Sequence, residues 1–228
     1  MAQGITTYNA GAVKDSARLS ALLNPRDAVT KFDDFFSKVT ATNLMWTVTA
    51  GTVTTAAVES GVMTIATSTA DAHVYSINPV VKATAGRTIT FECYCKVSSI
   101  GTTGSAFVGL SDTSGTLPVV AATGVFNGTQ KGIGFVFTTS TVKGITGDGA
   151  TIPTAITGAT TVADTYVRIG FVVQGTTSCK FYVNGVYVGE QTTGIPADVA
   201  LYETYGTKYA TADKTLSLDW TELSFTPR

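Results

Sequence analysis

Catalysis and metal binding need acids, bases, nucleophiles or ligands at fixed spacings, and few residues of this 228-residue chain qualify. The closest carboxylates within an apolar run are Asp219 and Glu222. Side chains alternate along a strand, so a spacing of three puts these two on opposite faces unless a bulge intervenes. Asp33 and Asp34 are adjacent, point apart for the same reason and form no acid–base dyad. His73, the one histidine, reads as structural or solvated. Cys93 and Cys95 lie two apart on an apolar strand and share a face; they read as small buried residues, because a metal pair needs two further ligands. Three cysteines, an odd number, build no disulfide framework. Asp112, Asp148 and Asp213 stand singly in loops, short of the clustered oxygens that calcium takes. No catalytic residue, metal or cofactor is therefore assigned, and the chain is expected not to be an enzyme.

Tyrosines remain as recognition chemistry. Tyr94, Tyr182, Tyr187, Tyr205 and Tyr209, with Tyr202 beside them, can supply an aromatic platform for a surface glycan. The same residues can equally be ordinary sheet surface or the contact between copies of the chain.

The elements that must carry these groups read as strands. Residues 165–189 hold three in a row. Val167, Ile169, Phe171 and Val173 alternate with other residues, the period of a strand with one buried face. Gln174-Gly175 begins a turn, residues 180–183 return, and Asn184-Gly185 is a strong hairpin signal because a type I′ turn needs two residues that tolerate positive φ. Residues 87–97 make the longest clear strand, with Ile89, Phe91, Cys93, Cys95 and Val97 on one face. Further strands are expected near 46–48, 51–58, 62–66, 72–77, 106–110, 119–126, 132–137, 200–204 and 216–225, with 205–214 a polar loop. Phe32, Phe35 and Phe36 are expected to close one edge of the core. In the last strand Leu216, Leu218 and Trp220 share one parity and Leu223 and Phe225 the other, so a bulge near residues 220–222 is expected to keep both sets inside. The expected core includes Phe91, Cys93, Phe135, Val167, Ile169, Phe171, Phe181, Val183, Leu218 and Trp220.

Residues 1–30 differ from the rest. Asp15 is a fair N-cap, Leu19, Leu22 and Leu23 share a helical face, and Asn24-Pro25 ends the run. A helix this short is not stable alone and must dock. It can pack on its own β domain or on a partner; residues 1–30 are read as a docking arm and 31–228 as the β-sandwich domain. Threonine, valine, alanine and glycine dominate a chain of formal charge −1. Thr and Val favour strands and Gly supplies turns. No basic cluster points to nucleic acid, and no apolar run is long enough to span a membrane as a helix. The start of the chain has neither a basic segment nor an apolar run, so synthesis in a cytoplasm without export by the general secretion route is expected.

Many short strands with turn signals every 8–12 residues and no strand–helix alternation indicate an all-β, two-sheet antiparallel sandwich. The run Phe181-Tyr182-Val183-Asn184-Gly185-Val186-Tyr187-Val188-Gly189 resembles the hairpin of concanavalin A-like (laminin G-like) jelly-roll domains. Arg87-Thr-Ile-Thr-Phe-Glu92, Phe107-Val-Gly-Leu-Ser-Asp112, Gly132-Ile-Gly-Phe-Val-Phe137, Ala163-Asp-Thr-Tyr-Val-Arg-Ile169, the Asn184-Gly185 hairpin and Leu216-Ser-Leu-Asp-Trp220 follow in an order similar to such domains in structural proteins of tailed bacteriophages. The resemblance implies a virion structural protein, made in the host cytoplasm and placed on the capsid surface as a decoration or cement protein. Its partners would be the major capsid protein and copies of itself, as a homotrimer. The alternative it implies is a carbohydrate-binding adhesion module of a tail or head fibre. Glycosidases of this fold carry a Glu-x-Asp-x-x-Glu run on one strand, since a retaining mechanism needs two carboxylates about 5 Å apart; no such run occurs here.

Overall fold

The computed structural model describes residues 28–35, 46–56, 61–67, 70–98, 104–113, 115–120, 123–138, 141–209 and 214–226. Within them lie fifteen strands and no helix. The first five are β1 (Val29–Asp33), β2 (Trp46–Ala50), β3 (Thr52–Ala56), β4 (Val62–Ala66) and β5 (Ala72–Ser76). Next come β6 (Thr88–Val97), β7 (Ser105–Ser111), β8 (Lys131–Thr138), β9 (Thr141–Asp148) and β10 (Ile156–Thr160). The last are β11 (Val167–Gln174), β12 (Ser178–Val183), β13 (Val186–Gln191), β14 (Tyr202–Lys208) and β15 (Thr215–Phe225). Leu19, Leu22 and Leu23, and with them the docking arm, lie outside the described residues. β1 begins at Val29 and pairs with β15, so the sandwich takes in strand residues from 29 onward.

The strands form two antiparallel sheets, the two-layer sandwich expected. One runs β13-β12-β11-β6-β15-β4-β3, with β1 added beside the second half of β15; the other runs β10-β9-β8-β7-β14-β5-β2. Between them lies one apolar core that includes Phe91, Cys93, Phe135, Ile169, Phe171, Phe181 and Leu218. The alternation of β6 and β11 produces this directly: Phe91 and Phe171 are cross-strand partners whose rings stack at 5.0 Å. Asn184 and Gly185 have φ of 50° and 78°, the left-handed pair that a type I′ hairpin demands. All three cysteines are buried and unbridged, and burial pushes the thiols of Cys93 and Cys179 well up in pKa.

Four expectations change. Within residues 119–126, the described positions 119–120 and 123–126 carry a single Val119–Phe126 bridge rather than a strand. Leu117, Val119 and Phe126 pack onto the far face of the second sheet, where with Phe107, Val136 and Ile145 they make a second apolar cluster. Tyr205 to Lys208 belong to β14 and not to a loop, because their backbone groups are taken up by β7 on one side and in part by β5 on the other. Phe35 joins the core as expected, but Phe32 faces outward and is 47% exposed. Trp220 also leaves the core. The register of β15 against β6 shifts between Leu218 and Trp220. That one extra residue keeps Leu216, Leu218 and Leu223 buried and turns Trp220 to the outer face.

An ionic cluster ties β1 to the opposite sheet. Lys31 pairs with Glu203 of β14, whose carboxylate is 1% exposed. The Tyr205 hydroxyl donates to Glu203 Oε1 at 3.2 Å, and the Lys31 ammonium lies 4.4 Å from the Trp46 ring centroid. Trp46 Nε1 donates to Asp33 Oδ2 at 2.8 Å. Burial raises the pKa of Glu203, and the Lys31 charge partly opposes it.

Candidate functional site

The outer face of the eight-stranded sheet gathers the chain's unspent chemistry. Registers read across the strands give its layout. One row runs Tyr187 (β13), Tyr182 (β12), Gly170 (β11), Glu92 (β6), Glu222 (β15) and Phe32 (β1). The neighbouring row runs Arg168, Tyr94 and Trp220. Each of these positions alternates with a core residue, so the pleat that buries Phe91, Ile169 and Leu223 turns Glu92, Arg168 and Glu222 outward.

Four aromatic rings form a strip across this face. Tyr166 and Tyr94 stack at 4.9 Å and 25° between planes. Tyr94 and Trp220 follow at 6.3 Å and 25°, and Trp220 and Phe32 at 6.2 Å and 27°. Near-parallel rings at the longer separations are strongly offset, so each leaves part of its face uncovered. The strip crosses β6, β15 and β1 obliquely, since Tyr94 and Trp220 share one row and Phe32 lies in the next, opposite Glu222. Tyr182 and Tyr187 make a second patch on the same face, edge to face at 5.8 Å.

Between the two patches lies a charged centre. Arg168 Nε and Nη2 donate to Glu92 Oε1 at 2.9 and 2.5 Å. The Asn184 hairpin holds the arginine's backbone: Arg168 N donates to Asn184 Oδ1, and Asn184 N donates to Arg168 O. Glu222 stands directly across from Glu92, and both carboxylates are buried at the floor of the face. Direct cross-strand partners have Cβ atoms about 4.5–5.5 Å apart, so two acids about 130 residues apart in sequence become neighbours. Lys96 Nζ lies 5.2 Å from the Tyr166 ring centroid. Burial, and then the charge of Asp219, raise the pKa of the Tyr166 hydroxyl.

The structure thus brings Tyr94, Tyr182 and Tyr187 to one face and separates the other two candidates from it. Tyr205 is fully buried between the sheets against Trp46, Phe35 and Phe91, where it can touch no glycan and no neighbouring copy. Its place in β14 opposite Val108 turns it into the core, and burial pushes its hydroxyl's pKa well up. Tyr209 follows β14 in the other sheet, its backbone N–H on Asp71 Oδ1. Trp220, Phe32, Tyr166, Arg168, Glu92 and Glu222 were absent from the sequence-level site. His73 is 3% exposed on the second sheet, with its pKa lowered by that burial. Among the described residues no group of three or more His, Cys, Asp or Glu is placed to hold a metal ion.

No family model and no curated protein matches this sequence. Solved structures do. A Bacillus licheniformis β-glucanase is similar at a TM-score of 0.60 and 14% identity, over 87% of this chain and 98% of that one. An endo-acting O-glycanase structure from the human gut microbiota, described as initiating mucin breakdown, is similar at 0.60 and 9%, over 85% and 97%. A botulinum neurotoxin type C structure, described as dependent on two ganglioside molecules to enter cells, is similar at 0.53 and 7%, over 86% of this chain and 42% of that one. At these identities the likeness establishes the fold, a jelly-roll sandwich. It also corrects the expectation that the chain is not an enzyme: glucanases and glycosidic hydrolases share the architecture. That expectation rested on a missing run of acids along one strand, and Glu92 and Glu222 meet across two.

Proposed function

We propose that this chain is a carbohydrate-binding adhesion module that holds a glycan on the outer face of its eight-stranded sheet. The observation that carries the reading is the strip Tyr166–Tyr94–Trp220–Phe32 beside the Arg168–Glu92 and Glu222 centre. Partly uncovered ring faces take the C–H faces of sugars, and charged groups fix hydroxyls by hydrogen bonds that are stronger than neutral ones. Neighbours of this fold that are described with gangliosides or glycan breakdown support the same reading. The sequence resemblance to phage structural proteins adds that the module is carried on a tail or head fibre. The test is a glycan array probed with the full chain and with Trp220→Ala, with thermal melts as folding control. Binding by the parent that falls at least tenfold in the variant is expected. No binding to any glycan, or equal binding by both proteins, refutes the reading.

A second reading has its own observation. The in-register Glu92–Glu222 pair puts two acids side by side on one face, and cleavage of glycosidic bonds with retention uses two neighbouring carboxyl groups. Release of reducing ends from bound polysaccharide, lost in both Glu92→Gln and Glu222→Gln, would turn the adhesion module into a hydrolase.

A further inference from the structure

We infer that residues 1–27 dock through Leu19, Leu22 and Leu23 on the outer face of the chain's own eight-stranded sheet, and there compete with ligand for the platform. The docking stands on observations of its own. The competition rests on the glycan-binding reading above and adds a regulation of that site.

The face is covered at its centre and open at its ends. One register row runs Lys180 (β12), Val172 (β11), Thr90 (β6), Ser224 (β15) and Thr30 (β1). It lies beside the row of Glu92, Glu222 and Phe32, and like that row it alternates with core residues and points outward. Val172, Thr90 and Ser224 are nevertheless only 4, 2 and 0% exposed, while Phe32 and Tyr187 at the two ends of the face are 47 and 51% exposed. The outer face of a bare antiparallel sheet leaves such side chains solvated. Val172 in particular is a buried apolar side chain that belongs to neither apolar cluster. Among the described residues, those clusters lie between the sheets and on the far face of the second sheet. The cover over Val172 is therefore assigned to chain outside the described residues. Internal stretches of that kind run to ten residues at most, 36–45 being the longest, whereas residues 1–27 lead straight into β1, where this row begins.

Reach, shape and charge fit. From β1 to β11 is three strand spacings, about 14 Å. The six steps from Leu23 to Val29 span up to about 20 Å when extended, so Leu23 can lie over Val172. Val172, Thr90 and the Phe32 ring offer the leucines an apolar bed. A helix about 10 Å across laid on this row overlaps the next row, about 7 Å away, which holds Glu222 and Phe32. In the helix expected over residues 15–23, Arg18 stands one turn before Leu22 and borders the leucine face. Glu222, and Asp219 at the bulge beside Trp220, give that part of the sheet the opposite sign.

The experiment places a thiol under the proposed cover with Val172→Cys in the full chain. Cys93, Cys95 and Cys179 are 0% exposed and stay silent towards a thiol-specific dye while the protein is folded. Labelling is timed with the leucines intact and with Leu19→Ser, Leu22→Ser and Leu23→Ser added, melting temperature being the folding control. The leucine substitutions are expected to speed labelling about tenfold or more, at rates independent of protein concentration. The same substitutions without Val172→Cys should tighten glycan binding several-fold over the parent. If the triple variant melts lower, Leu22→Ser alone replaces it, with a smaller rise in both readouts. Equal labelling rates overturn the docking and leave the platform standing. Protection that strengthens with protein concentration assigns the cover to a neighbouring copy and overturns docking on the chain's own sheet. Faster labelling with unchanged glycan affinity overturns the competition. Faster labelling with no glycan bound by parent or variant overturns the platform reading and leaves the docking standing.

Discussion

Lys31→Met tests the ionic tie between the sheets and the strand that carries Phe32. In the folded chain Glu203 is 1% exposed, and its carboxylate is held by Lys31 and by the Tyr205 hydroxyl at 3.2 Å. Methionine keeps much of the lysine stem and removes the charge. Stripping one partner from a buried ion pair costs about 3–5 kcal/mol, because the other charge stays behind uncompensated. Glu203 has an escape, which is to take up a proton. Holding it protonated at pH 7, against an unfolded value of about 4.3, costs about 3.7 kcal/mol at 1.36 kcal/mol per unit, and that caps the loss. At pH 5 the same cap is about 1 kcal/mol. The sign is fixed by the direction of the shift. Burial raises the folded pKa of Glu203, so its contribution is fully present below the unfolded value and is lost as pH rises through the folded one. Lys31→Met removes the opposing charge and raises that pKa further. Urea unfolding of parent and variant between pH 5 and 8 should therefore show a penalty of about 3–4 kcal/mol at neutral pH that shrinks to about 1 kcal/mol at pH 5. Adding Glu203→Gln to the variant should recover part of the neutral-pH loss and flatten the pH dependence. A penalty that is the same at every pH, or a double variant whose losses simply add, would refute the argument.

Two further outcomes concern the fold that positions the face. Gly144→Ala places a methyl 2.5 Å from the Phe181 ring across the sandwich; overpacking of this kind should cost about 1–3 kcal/mol in urea unfolding without altering glycan affinity at the distant strip. Asn184→Ala puts alanine at φ 50° and removes the acceptor for Arg168 N. A loss of about 1–3 kcal/mol is expected, with weaker glycan binding if Arg168 is displaced; Asn184→Gly should recover the backbone part.

Local patterns in the amino-acid sequence were enough for the layers. Alternation in residues 87–97 and 167–173 specified which side chains meet in the core, and Asn184-Gly185 specified the hairpin, because pleat and turn chemistry act over two to four residues. The all-β sandwich, the buried cysteines and the need for a bulge in the last strand were all legible in this way. Tyr94, Tyr182 and Tyr187 could be named as outward aromatics by the same parity. What the tertiary structure alone decided is which strands lie side by side. Glu92 and Glu222 share a face because β6 pairs with β15, and no spacing rule connects residues 130 positions apart. The place of the bulge decided the fate of Trp220: the shift occurs before it rather than after, and one residue of slip moves a side chain from core to surface. Tyr205 went the other way, since pairing of β14 with β7 and β5 extended a strand through an expected loop and turned its ring inward. The candidate site is a property of register between distant strands, which is set by the total packing of two sheets and not by any short stretch within them.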